Sequence, residues 1–269
     1  MRIPFLAGRK KLLREIKGLR NELDVLRSRI DMPAELVLQF ASDRTSTEFQ
    51  AVYDKNDPLV SICIATFNRG DLLLNRTVAS LTAQTYSNIE IVIVGDCCTD
   101  DTQKLLDSCT DNRVRFENLE TRGDYPPAGS RRWMVAGTKP INRALDLASG
   151  DFVCHCDDDD EFDLRKVELL VDYIRETRAH FVWHPFFYET SEGKWLKNPA
   201  EKLELGSATT SSIFYHNWIK RIRWDPEAWR YNEPGDWNRI RRIKYLEADC
   251  RRYDQPLIKH HKEQNQKKT

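Results

Sequence analysis

The chain has 269 residues, enough for one domain with an extension or for two small ones, and its 42 lysines and arginines are matched by 42 aspartates and glutamates. That balance leaves no bulk charge to attract nucleic acid or an anionic membrane, so any such attraction has to be local. No stretch reaches the roughly 18 apolar residues of a membrane span, and Met1 to Gly8 hold too short an apolar core for a signal peptide. The seven cysteines are an odd number without the repeated spacing of a zinc site, which reads as reduced thiols in a cytoplasmic protein.

Residues 1–57 read as a coiled-coil helix and a linker. Leu12, Ile16, Leu19, Leu23, Leu26 and Ile30 recur at alternating spacings of four and three, with isoleucine at two of the a positions and leucine at every d, a pattern that leans toward two parallel strands. In that register Glu15 faces Arg20 of a second copy and Glu22 faces Arg27, so the charges agree with the apolar pattern on a homodimer through residues 9–30. Arg9, Lys10, Lys11, Arg14 and Lys17 also make this end locally basic, which suits peripheral contact with an anionic membrane. Met32-Pro33 ends the pattern, and residues 34–57 read as a polar linker with one short helix.

From residue 58 the texture changes to alternating strand and helix. Strands are expected at Leu59–Ala65, Ile89–Val94 and Val114–Phe116, with helices at Asp71–Ala83 and Asp101–Cys109, and another opened by Thr138 and closed at Gly150. Such alternation implies an α/β fold with a mostly parallel sheet flanked by helices, whose ligands bind beyond the carboxyl ends of the strands. The polar loops at Thr66, Asp96 and Asp157 all fall on that edge. Neither a Walker lysine loop nor a G-x-G-x-x-G follows the first strand, so a diphosphate has to be met by other means.

The means on offer is the run Asp157-Asp158-Asp159-Asp160, which ends the apolar stretch Phe152–Cys156. Four adjacent carboxylates repel one another, and a hard divalent cation, Mg²⁺ or Mn²⁺, relieves the repulsion. An EF-hand loop would need glycine where Phe162 stands and a helix where the strand lies.

Val60-Ser61-Ile62-Cys63-Ile64-Ala65-Thr66-Phe67-Asn68-Arg69, the segment Gly95-Asp96-Cys97-Cys98-Thr99-Asp100, and Ser149-Gly150-Asp151-Phe152-Val153 leading into the four aspartates resemble the inverting family 2 glycosyltransferases of GT-A fold. The resemblance implies that Thr66 and Asp96 meet the nucleobase side of a nucleoside-diphosphate sugar, a UDP-sugar above all, with Asn68, Arg69, Asp157 and Asp158 completing the donor site. It implies Asp159 as the metal ligand, with a one-residue slip along the run left open, and a late histidine, His261 or His260, as a further ligand. The chain departs from the family at Gly95 and Cys97-Cys98, where an Asp and a Gly-Ser are usual. It departs again in the segment 123–137, whose Arg131-Arg132-Trp133 would suit a loop closing over a diphosphate.

Residues 181–256 form the second half of the domain read as 58–256. Trp183 to Tyr188 are dense in aromatics that serve either a core or the faces of sugars, and Thr209–Ser212 read as a short strand. Glu233-Pro234-Gly235-Asp236 opens an amphipathic helix. Asp236 reads either as an ordinary N-cap or, as the resemblance implies, as the general base that takes a proton from a hydroxyl acceptor, with Glu233 in reserve. The acceptor is a glycan, a lipid-linked sugar or another alcohol. Residues 257–269 read as a polar tail. Two other functions share parts of this pattern: a sugar-nucleotide pyrophosphorylase, which would want a glycine-rich first loop, and a binding module that needs no base.

Overall fold

The computed structural model describes residues 4–261, with side chains from Arg9 onward. Its central sheet has seven strands: β1 (Val60–Thr66), β2 (Ile89–Gly95), β3 (Val114–Asn118), β4 (Phe152–His155), β6 (Phe181–Trp183), β9 (Ile213–His216) and β10 (Cys250–Arg252). They lie in the order β10-β6-β9-β4-β1-β2-β3. β1 pairs in parallel with β2 and β4, and only β9 runs against its neighbours. The apolar runs without alternation therefore mark strands covered on both faces, and Val60, Ile62, Ile64, Ile91, Ile93 and Phe152 are fully buried.

Around β1 and β2 the helices stand where the sequence puts them. α4 (Gly70–Leu72), a π-helical stretch Leu73–Val78 and α5 (Ala79–Thr82) run on from one another after β1, α6 (Thr102–Asp107) follows β2, and α8 (Thr138–Leu147) and α9 (Lys166–Thr177) flank β4. Thr138 is the first helical residue of α8, and the capping position is Gly137 at φ 81°, a left-handed backbone that glycine adopts without strain.

Three expectations differ. Residues 34–57 are not a linker: α2 (Ala34–Asp43) and α3 (Thr47–Asp54) pack Phe40, Phe49 and Tyr53 into the core, where Phe49 stacks on His216 with ring centroids 3.7 Å apart. Thr210–Ser212 form a 3₁₀ turn rather than a strand. The end of the described chain does not fray either. β11 (Ile258–His260) joins β5 (Glu161–Phe162), β7 (Phe187–Glu189) and β8 (Trp195–Lys197) in a second sheet, with Leu257 and Ile258 buried. The rest of the tail, 262–269, lies outside the described residues.

The coiled-coil segment is a single helix, α1 (Pro4–Asp31), whose last turns rest on α10 (Gly235–Tyr245).

Candidate active site

Parallel register brings the three expected loops together. Thr66 lies opposite Gly95 and Cys63 opposite His155, so the residues after β1, β2 and β4 leave the sheet at one edge. There Thr66 donates from its hydroxyl to Asp158 at 2.7 Å, and one Arg69 nitrogen bridges Asp158 at 2.9 Å and Asp159 at 3.0 Å. Arg76 donates to the Asp159 carbonyl, and Thr77 to that of Asp160. Asn68, at φ 52°, uses its carboxamide to tie the loop after β1 to Thr99.

Asp96 is buried and accepts from the Gly123 amide at 2.9 Å, with the Arg122 Nε 3.5 Å away. The same guanidinium lies 3.5 Å over the ring of Phe67, so the expected base contact is lined by a residue that no motif pointed to. The departures from the usual loop also have a physical reason. A side chain at Gly95 would run into the Asn118 carboxamide at 2.5 Å, and that carboxamide instead pairs with both backbone groups of Cys98. Cys97 holds φ 60° where the family's usual glycine would adopt such a backbone without strain.

The four aspartates do not share one environment. Asp158 and Asp159 face Arg69, whereas Asp157, Asp160 and His260 turn toward each other with donor atoms all within 4.8 Å. The reason is register. β11 runs antiparallel to β5 with Lys259 opposite Glu161, so the next residue, His260, meets Asp160, and its Nδ1 lies 2.9 Å from Asp160 Oδ1. His261 points the other way, its Nε2 3.4 Å from Glu161 and its ring edge-on to Trp195. Of the ligands the sequence left open, His260 and the aspartates on either side of Asp158 and Asp159 are the ones that converge, while Arg69 faces Asp159 and Glu161 faces His261.

Electrostatics fit a cation here. Burial and then Asp160 and Asp159 push the Asp157 carboxyl well above the usual range, and burial with the neighbouring aspartates lifts Asp159 to about 6. Burial opposes a charge on His260, but the hydrogen bond and charge of Asp160 win and raise it to about 9. Two carboxylate oxygens and an imidazole nitrogen within 4.8 Å of one another are a donor set suited to Mn²⁺ or Mg²⁺, whose binding would displace the imidazole proton.

Ser211 supports that set in a way the sequence did not reveal. Its hydroxyl donates to Asp160 at 2.5 Å and accepts from the Asp157 amide at 2.9 Å. Its carbonyl accepts from Lys166, a fully buried amine over the Phe162 ring whose pKa burial lowers to about 8.

The second chemical position is the start of α10. Its N-cap is Pro234, not Asp236, so Asp236 sits in the first turn with its carboxylate accepting from the Trp237 amide at 2.6 Å and from its own backbone amide. Among the described residues no cationic side chain pairs with it. Burial raises it to about 6, against the pull of that amide, and the His260 charge is close enough to act on it. Glu233 is spent elsewhere: Arg27, Asn238 and Arg241 all donate to its carboxylate, which removes it as a reserve base. The segment expected to close over a diphosphate instead forms α7 (Ser130–Val135) beside α10. Arg131 lies 5.4 Å over Trp229, and the Met134 carbonyl stands 3.0 Å from where a side chain at Gly235 would begin.

Of the aromatics, Trp183 and Phe186 are core, while Phe187 and Trp195 lie open on the small sheet.

The S. aureus protein TarS, residues 1–349 solved with UDP-GlcNAc, superposes with a TM-score of 0.59 at 20% identity over 77% of this chain and 60% of its own, which gives the fold as GT-A. Among relatives, the Escherichia coli UDP-Glc:alpha-D-GlcNAc-diphosphoundecaprenol beta-1,3-glucosyltransferase WfaP is 32% identical over 132 residues, 49% of this chain and 47% of its own. A Campylobacter jejuni GalNAc(5)-diNAcBac-PP-undecaprenol beta-1,3-glucosyltransferase is 30% identical over 125 residues, 46% and 37% respectively. The chain thus covers about half or less of these two relatives' length. The description of glycosyl transferase family 2 matches residues 61–247, more than half of the sequence, and the chain belongs to that family.

Proposed function

We propose that this chain is a metal-dependent, inverting glycosyltransferase that moves a sugar from a UDP-sugar to a hydroxyl of a lipid-linked glycan at the cytoplasmic face of a membrane. The observation that carries the reading is Asp236: a half-buried carboxylate with no cation paired to it, in the field of a histidine that belongs to the acid cluster. In this reading Thr66, Asn68, Arg69, Asp96 and Asp158 receive the nucleoside, and Asp157, Asp160 and His260 hold Mg²⁺ or Mn²⁺, with Asp159 at the edge of the set. The ion, when bound, supplies positive charge beside the departing diphosphate.

Asp236 orients the acceptor hydroxyl and takes its proton as the oxygen bonds to the anomeric carbon. The bond from that carbon to the diphosphate oxygen breaks, its electron pair leaving with the nucleotide. One displacement of this kind inverts the anomeric centre. Support for a UDP donor and a lipid-linked acceptor comes from the relatives' names and from the nucleotide sugar bound by TarS. No described helix is long and apolar enough to cross a membrane, so contact with the bilayer would be peripheral, through the basic start of α1.

The test is UDP release from UDP-glucose and UDP-GlcNAc, with Mn²⁺ and a panel of undecaprenyl-diphosphate sugars, read by chromatography of the glycolipid. Transfer that needs both Mn²⁺ and Asp236 supports the reading, and transfer at the parental rate by Asp236→Asn refutes the assigned base.

A further inference from the structure

α1 presents two faces of opposite character. The face toward the domain is polar: Lys17 pairs with Glu204, Arg27 donates to Glu233 at 2.8 Å, and Ser28 and Asp31 accept from Arg241 at 2.9 and 2.7 Å. The face turned away is the apolar one, with Leu12, Ile16, Leu19, Leu23, Leu26 and Ile30 between 41% and 79% exposed. A helix that merely covers its own domain does the reverse, burying its apolar stripe and leaving its charges in water. Six aliphatic side chains left bare along one line mark an interface.

Charge selects the occupant. The stripe follows a heptad, and Glu15 and Glu22 stand on one flank with Arg20 on the other, so a parallel copy places Glu15 against Arg20, while Arg27, at the position facing Glu22, donates to Glu233 of its own chain. An anionic bilayer would meet those same glutamates unfavourably.

The polar face adds a consequence. Arg27, Ser28 and Asp31 close on the buried pair of Arg241, on α10, and Glu233, three residues before Asp236. These α1 residues precede residues 61–247, the segment that matches the family.

We propose that a second copy of this chain docks along the Leu12–Ile30 stripe as a parallel two-stranded coiled coil, and that this docking holds the α1 clasp shut on α10. The bearing of the clasp on catalysis rests on Asp236 being the base, whereas the docking itself does not.

Light scattering on the full chain should give about twice 31.5 kDa, and Leu19→Asp/Leu26→Asp should give the single mass. Glu15→Lys/Glu22→Lys, at exposed positions that leave the helix intact, should weaken association about tenfold or more. Amide hydrogen exchange at residues 235–238 should quicken about tenfold in the monomeric variant. A wild-type chain of single mass at micromolar concentration overturns the docking, as does capture of that single-mass chain by phosphatidylglycerol vesicles, which would make the stripe a membrane face. A dimer whose charge variant associates as tightly overturns the register. Exchange equal in dimer and monomer overturns the hold on α10. None of these readouts depends on sugar transfer.

Discussion

Two clusters of buried carboxylates serve this molecule in different ways. At the root of α10, Glu233 receives donors from three side chains, and Asp236 three residues on receives, among the described residues, backbone amides alone. In the aspartate run Arg69 faces Asp158 and Asp159, and Asp157 and Asp160 converge with His260, Asp160 also accepting from the Ser211 hydroxyl. At α10 the compensated acid, Glu233, holds the fold, whereas in the aspartate run both the acids facing Arg69 and the two beside His260 belong to the proposed donor and metal site. A buried carboxylate is costly unless paired, so the unpaired ones mark where a proton or a cation is to be received.

Replacement should separate the two kinds. Asp236→Asn should lower transfer by about a thousandfold while leaving the affinity for UDP with Mn²⁺ unchanged, as loss of a general base does. Glu233→Gln should instead cost about 3 to 5 kcal/mol of unfolding free energy in a denaturant titration, because it strands Arg27 and Arg241 beside a neutral amide. Equal stability losses in the two variants would erase the distinction. In the aspartate run, Asp160→Asn and His260→Ala should each weaken Mn²⁺ binding, read by electron paramagnetic resonance, by about a hundredfold, against less than about threefold for His261→Ala. Should His261→Ala prove the more damaging, the histidine of the metal set is His261 rather than His260. Ser211→Ala should weaken Mn²⁺ about tenfold by releasing Asp160.

The sheet and its cleft were legible because each signal was local. Apolar runs such as Ile89–Val94, polar loops at their ends and helical spacing between them need no knowledge of what packs across. His260 and Ser211 were not legible as partners of Asp160, because one arrives by antiparallel register and the other by a 3₁₀ turn some fifty residues on. The linker reading of 34–57 failed for a related reason. Phe40, Phe49 and Tyr53 are too few for a periodic signal, and their burial is decided by His216 and Phe152 on the sheet they cover. The α1 stripe is apolar and exposed at the positions the sequence picked out, yet nothing in its spacing told that the polar face would dock.

The mildest prediction concerns pH and uses the same contrast. Burial lifts Asp236 from the ordinary carboxylate range to about 6. A base works in its ionised form, so kcat/KM should be half-maximal near pH 6, level above about 7, and fall about tenfold per unit below. Stability runs in the opposite sense. An acid whose folded-state pKa is raised binds its proton more tightly when folded, so its ionisation weakens the fold fully above pH 6 and not at all below its unfolded value near 3.8. Asp236→Asn removes that penalty and should be more stable than the parent at pH 8, with the advantage fading toward pH 4. Glu233→Gln should show no such gain at pH 8. Thermal melts of the two variants at pH 8 and pH 5 decide the matter: an Asp236→Asn variant that melts below the parent at pH 8 would mean that the charge on Asp236 is compensated after all, and that it belongs with Glu233 among the acids that hold the fold.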